Sequence, residues 1–358
     1  MGEVTGFAEP PPSEEEVLAF LRTPGLSIKN LDASTKEKIR LYLLRTHIEQ
    51  GVSLGDIAKR IGSKTSGYTS WLTRQLGIQP RDFEEARLKG IHEKVRKYER
   101  KPFDGTDEDK AYLLGLKHGD LYASIPWKGV VRISTSTTHP AMAELFGALF
   151  NSSGHVYQHP RYKKDTNTYE WNLSTIVDDS YSFMLLPRGE CWNRLARSES
   201  TILAYLSGLF DAEGSIGIYR NASTTALTLA FYNTDLDLMN IVHSWLTILG
   251  YNPLKPYLDK PKGFRSPGFH IEMKKDYWRV MIATFEESQS LLSKLTLRHR
   301  EKVSKKTLGL SIRRGQRWVE VIDRVREIRW SIKKERDTFV TEAERLCLHR
   351  EKEKRDGV

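Results

Sequence analysis

One segment of this chain occurs twice, and that duplication limits the fold more than any other feature. DKAYLLGLKHGDLYAS (109–124) is echoed by TILAYLSGLFDAEGSIGIY (201–219), and aligning LLGLKHGDL with LSGLFDAEG sets Asp120 opposite Glu213. The likeness continues downstream. Each copy leads into an alternating strand, VVRIS (130–134) or ALTLAF (226–231), and then a helix, PAMAELFGALF (140–150) or DLMNIVHSWLTILG (237–250). Each then has a hairpin with a basic tip, RYKKD (161–165) or DKPKGFR (259–265), and a second alternating strand, TYEWNLS (168–174) or FHIEMKK (269–275). A shared order of this length predicts two copies of one αββαββα unit. Gly115 and Gly119 stand four apart on one helix face, as do Gly208 and Ala212, so the two leading helices are expected to pack closely on each other.

Both leading segments resemble the motif of the LAGLIDADG homing endonucleases. Leu113, Leu114, Gly115, Leu116, Gly119 and Asp120 match in the first copy, and Leu206, Gly208, Leu209, Asp211, Ala212, Glu213 and Gly214 in the second. The resemblance covers roughly residues 107–305. It implies an α+β chain whose two pseudo-symmetric repeats form a saddle over double-stranded DNA. It also implies a single-chain enzyme that cuts a long asymmetric site as a monomer, of the kind associated with intron mobility. No splicing-type residues flank the motifs, which argues against an intein.

If the motif helices meet, Asp120 and Glu213 stand side by side as the catalytic, metal-holding pair. Two adjacent carboxylates repel unless a cation lies between them. Oxygen ligands select Mg2+, with Mn2+ as a substitute, and such a cation assists phosphodiester hydrolysis. His118 and Asp211 occupy equivalent positions beside the acids; His118 reads as a partly exposed histidine, with a helper base or a phosphate contact as the alternative. Leu121 follows Asp120 where the family usually has glycine, so the first repeat is expected to leave its helix differently. The strand positions where the family often carries Lys or Gln fall near Thr135 to Thr137 and Asn233 to Thr234, none of them basic.

The strands alternate with period two. Arg132, Ser134 and Ser136 share one face of the first, and Glu170, Asn172 and Ser174 one face of its partner; His270 and Lys274 do so on the last strand. The resemblance assigns such polar faces to the DNA major groove. It assigns Lys163, Lys164, Lys260, Lys262 and Arg265 at the hairpin tips to backbone phosphates. A solvated antiparallel sheet would alternate in the same way.

Ahead of the repeats, STKEKIRLYLLRTHIEQ (34–50) reads as an amphipathic helix capped by Ser34, with Ile39, Leu41, Leu43 and Leu44 as its apolar positions. GVSLGDIAKRIGSKTSGYTSWLTRQLGI (51–78) follows as two short helices, capped by Ser53 and Ser63 and joined at Gly62, the form of a helix-turn-helix. Its expected DNA contacts are Lys64, Thr65, Ser66, Tyr68, Thr69 and Arg74, with Trp71 and Leu72 in the core. A charged helix from Arg81 to about Arg100 then leads to a linker, KPFDGTDED.

The expected division is a lead-in over 1–33, the helix-turn-helix and connecting helix over 34–100, repeats over 107–200 and 201–307, and a basic helical extension over 308–358. In that extension an apolar period through Trp318, Val321, Ile322, Val325, Ile328 and Ile332 predicts a helix packed on the core. A net charge of +10 favours a polyanion. Duplex DNA is the expected one, with structured intron RNA, bound by a maturase, and a DNA-binding transcription regulator as the other readings. Only Cys191 and Cys347 are present, which excludes a disulfide framework and suits the reducing cytoplasm. There is no run of about 18 apolar residues for a membrane helix, and the first residues lack the pattern of a secretory signal.

Overall fold

A computed structural model describes residues 14–22, 28–63, 65–79, 98–164, 166–187, 198–265 and 272–355. The chain divides into two compact units, Met1–Lys97 and Tyr98–Val358.

In the first unit, α1 (Glu14–Leu21), α2 (Ala33–Leu43), α3 (Leu54–Arg60) and α4 (Gly67–Gln75) close around Val17, Ile39, Leu43, Ile57 and Leu72. The α2 helix widens into a π turn over Leu44–Glu49, so the predicted end near Gln50 holds. Its cap is Asp32, whose carboxylate accepts from the Thr35 amide, and not Ser34. Leu41 faces solvent. Ser53 caps α3, accepting from the Asp56 amide at 3.1 Å, and Gly62 turns the chain with φ +78°. Ser63 does not cap α4. Its hydroxyl is spent on the Thr65 carbonyl, and the helix starts after Ser66. Ser53→Ala leaves an amide without its acceptor and is expected to destabilise this unit by about 1 kcal/mol, read by urea unfolding.

The second unit carries the duplication. Its first repeat runs α5 (Asp107–Gly119), β1 (Tyr122–Ser124), β2 (Val130–Thr137), α6 (Pro140–Phe150), β3 (Val156–Lys163) and β4 (Thr168–Asp178), and ends in a 3-10 segment, Asp179–Leu185. Its second runs α7 (Glu199–Glu213), β5 (Gly214–Asn221), β6 (Thr224–Asn233), α8 (Leu236–Ile248), β7 (Leu254–Lys260), β8 (Tyr277–Ile282) and α9 (Phe285–Lys294). The sheets have the same strand order, β1-β2-β4-β3 and β5-β6-β8-β7, and every pair is antiparallel. This is an α+β chain with two four-stranded antiparallel sheets, as the duplication predicts.

The returning strand of the second hairpin is Tyr277–Ile282, not 269–275. Residues 266–271 lie outside the described residues, and Glu272 forms an isolated bridge with Arg265, outside the named strands. The apolar alternation that fits the sheet is Trp278, Val280 and Ile282, with Val280 and Ile282 buried in the core. The first repeat does leave its helix differently. β5 begins at Gly214 directly after α7, where an added Cβ would lie 2.3 Å from the Phe210 ring, whereas Leu121 is buried and β1 spans three residues.

The motif helices α5 and α7 pack backbone to backbone. A Cβ on Gly115 would sit 2.0 Å from the Tyr205 carbonyl oxygen, and one on Gly208 1.9 Å from that of Tyr112. These contacts are reciprocal, because Tyr112 and Tyr205 are equivalent residues of the two copies. Two further helices complete the unit, α10 (Arg300–Ser311) and α11 (Ile322–Arg355). The start of α11 joins the second repeat's core through Val325. Further along, the Trp171 indole of β4 donates to the Phe339 carbonyl at 2.8 Å and stacks on the Phe339 ring. The predicted C-terminal helix is therefore present, and it ties the two repeats together. No helix among the described residues is long and apolar enough to cross a membrane.

Candidate metal centre and nucleic-acid interface

Because α5 and α7 cross through glycines, their C-terminal ends converge. Gly119 packs on Ala212, and the Glu213 Cγ lies 3.0 Å from where a Gly119 side chain would begin. Asp120 is the C-cap residue of α5, and Glu213 is the last residue of α7. The sequence-predicted acids thus come together. Burial, and after it the Asp120 charge, push Glu213 up to about 7. Asp120 is reached by solvent, yet the protein packed around it raises its carboxyl above the usual range, with Lys302 and His139 pulling the other way.

Beneath this end the helices exchange hydrogen bonds. The Tyr112 hydroxyl donates to Asp211 Oδ2 at 2.6 Å, and the Tyr205 hydroxyl meets His118 Nδ1 at 2.6 Å. His118 is therefore buried in the helix seam, not partly exposed, and is no surface phosphate contact. Asp211 also accepts the Arg298 amide at 2.6 Å, and burial raises its carboxyl.

Two groups at the acids, Lys302 and Tyr277, were not legible in the repeat. The Lys302 ammonium donates to the carbonyls of Phe210, Asp211 and Ala212 at 2.5, 2.7 and 2.9 Å, placing a cation on the negative end of α7. Burial pushes Lys302 down to about 8, against the pull of Asp211, Asp120 and Glu213. The Tyr277 hydroxyl donates to Glu213 Oε2 at 3.2 Å, and Thr135 donates to the Asp120 carbonyl at 2.8 Å. Lys302 brings a basic group close to the acids, with its three donors spent on the α7 carbonyls. It comes from α10, so no strand alignment could find it.

Oxygen donors carrying mutual repulsion suit a divalent cation. Among the described residues no cluster of three or more His, Cys, Asp or Glu could hold a metal. Two carboxylates alone leave coordination positions for water and phosphate oxygens, which is how Mg2+ is usually held.

The first sheet gathers the predicted contact residues on one face. Arg132 and Ser136 are exposed, Ser134 and Asn172 half-buried. A polar row crosses three strands, from the Ser136 hydroxyl to Asn172 Oδ1 at 3.4 Å and from Asn172 Nδ2 to His159 Nε2 at 3.1 Å. Glu170 on the same face is buried between Lys163 at 3.4 Å and Arg161 at 3.6 Å, so Lys163 is engaged within the protein. Lys164 and Lys262 are exposed and Lys260 half-buried. Arg265 pairs with Glu272 at 3.1 Å. Lys274 is exposed but lies on no strand, and His270 lies outside the described residues. On the second sheet the corresponding face carries Arg279, set against the rings of Tyr232 and Tyr257, residues that the misplaced strand concealed.

In the first unit Thr65, Ser66 and Arg74 are exposed as expected, and Lys64 lies outside the described residues. Thr69 is fully buried and donates to the Leu54 carbonyl, so it joins α3 to α4 and cannot face DNA. Tyr68 is half-buried and stacks on Trp71, which is 40% exposed and not a core residue.

Residues 200–265 match the family model described as a LAGLIDADG-like domain. No curated protein matches the chain by sequence. Among solved structures, the chain is similar to I-DmoI in complex with DNA and manganese (19% identity, 58% of this chain and 98% of that one, TM-score 0.32). It is also similar to the homing endonuclease I-WcaI bound to its DNA recognition sequence (13%, 64% and 96%, TM-score 0.41). A third is the N-terminal LAGLIDADG domain of DUF199/WhiA (16%, 61% and 95%, TM-score 0.35).

Proposed function

We propose that the chain is a site-specific, divalent-metal-dependent endonuclease acting on double-stranded DNA. The observation that carries this reading is the meeting of Asp120 and Glu213 at the glycine-packed end of two duplicated helices. Asp120 and Glu213 would hold the metal, Mg2+ or Mn2+, which when bound supplies Lewis-acid activation of water and stabilisation of the leaving oxygen. Lys302 and Tyr277 fix the backbone and carboxylate on the Glu213 side. The polar faces of the two sheets read base edges, and the basic hairpin tips neutralise phosphates. One chain supplies both acids, so a monomer suffices and its two half-sites need not be identical. The exposed side chains of α4 add contacts through Thr65, Ser66 and Arg74.

The test is cleavage of a plasmid library with Mg2+. Cutting at one long site supports the reading. Binding of a defined duplex with no cutting in Mg2+ or Mn2+ would overturn it.

A second expectation follows from Glu213. Its carboxyl is raised in the folded chain, so the folded state binds the proton more tightly than the unfolded state does. That contribution is complete below the ordinary glutamate range and is lost as pH rises to about 7. Without metal, the second unit should therefore lose thermal stability over that window relative to Glu213→Gln, and divalent cation should restore it. Parallel melting curves for the two proteins across the window would refute a Glu213 carboxyl raised by burial and by the Asp120 charge.

A further inference from the structure

We propose that a cavity beside Asp120, entered by Arg336 of α11, binds one backbone phosphate of the nucleic acid strand nearest that acid. This rests on the endonuclease reading above and adds a contact that the duplicated motif does not contain. The cavity encloses about 590 Å3 and is lined by Asp120, Thr135, Thr137, Lys163, Thr168 and Arg336, among others. Its walls carry hydroxyls, the cations of Lys163 and Arg336, and the carboxylates of Asp120 and Glu170.

The charged side chains lining it, Asp120, Glu170, Lys163 and Arg336, balance in sign, so what matters is which of them are already paired. Glu170 is matched by Lys163 and Arg161. Arg336 is half-buried and has no ion-pair partner among the described residues, whereas Arg298, Arg300 and Arg326 are paired with Asp109, Glu144 and Asp323. A guanidinium with no ion-pair partner among the described residues presents a free fork of donors, the geometry that a phosphate takes. Asp120 on the wall would repel an anion by itself. A divalent cation, if Asp120 held one, would offset that repulsion. Arg336 arrives on α11, which the Trp171–Phe339 contact fixes against the first repeat. The site therefore belongs to the Asp120 side and makes the two halves unequal.

The experiment measures binding of the full chain to a duplex carrying the selected site, in Ca2+ over a range of salt, and strand-specific cutting in Mg2+. Arg336→Gln should weaken binding about tenfold and lower the slope of log affinity against log salt by about one. It should slow cutting of one strand about tenfold more than the other. Arg336→Lys should restore the slope, and Arg326→Gln, on the exposed side of the same helix, should change neither. An unchanged slope with equal strand rates in Arg336→Gln overturns the phosphate site and leaves the endonuclease reading intact. So does an equal effect from Arg326→Gln, which would mean diffuse charge alone. Failure of the wild-type chain to bind any duplex overturns the endonuclease reading itself, and this inference with it.

Discussion

Asp120→Asn and Glu213→Gln should each lower the cutting rate by a factor on the order of 10³ or more while duplex affinity changes little. The amide keeps the shape and hydrogen bonding of the acid but removes the charge that would hold the cation. Glu213→Gln also removes a carboxyl that burial, and after it the Asp120 charge, push up to about 7, so the inactive protein should be at least as stable as the parent. Loss of activity together with unchanged or increased stability distinguishes a metal site from a structural ion cluster. If either variant cuts at the wild-type rate, the acids are not the metal pair. If both lose binding along with cutting, they act in folding or docking and not in hydrolysis.

Gly208→Ala should be the most damaging small substitution in the chain. Its methyl would fall 1.9 Å from the Tyr112 carbonyl oxygen, and neither partner is a side-chain end that can swing away. The helices must separate, at a cost of about 3 kcal/mol, since overpacking in a rigid seam is not relieved by rotamers. Gly115→Ala repeats the clash from the other side, 2.0 Å from the Tyr205 carbonyl oxygen. Gly147→Ala on α6 is the contrast, because there the methyl meets only the end of the Asn151 side chain at 3.1 Å. It should be neutral or stabilising by up to about 1 kcal/mol through helix propensity. Denaturant unfolding of the three variants checks this order, and equal stabilities would mean that the helices do not cross at these glycines.

The glycines and acids were legible because a duplicated sequence shows which positions two helices share. The strand face bearing Arg132, Ser134, Ser136 and Asn172 was legible for a similar reason, since period two fixes which residues point together. Elsewhere polarity misled. Thr69 reads as a surface hydroxyl, but a threonine can bury its methyl and satisfy its hydroxyl on a carbonyl, here that of Leu54. His118 reads as half exposed because nothing local shows that Tyr205, on the other motif helix, receives it. Lys302 and Tyr277 reach the acids from α10 and β8, and pattern within one element carries no trace of such meetings. The strand expected at 269–275 failed because an alternation in a hairpin arm resembles the alternation of the strand that follows it.

The contact between Trp171 and Phe339 joins residues 168 positions apart in sequence. A contact that closes so long a loop is among the slowest kinds to form, and it waits on the elements at both ends. During synthesis, α5, α7 and both sheets are all made before α11 emerges. The Asp120 cavity thus acquires Arg336 as one of the last events of folding. A newly made chain would pass through a stage with its acids assembled and this wall of the cavity still open, and it would be finished only when the last helix docks.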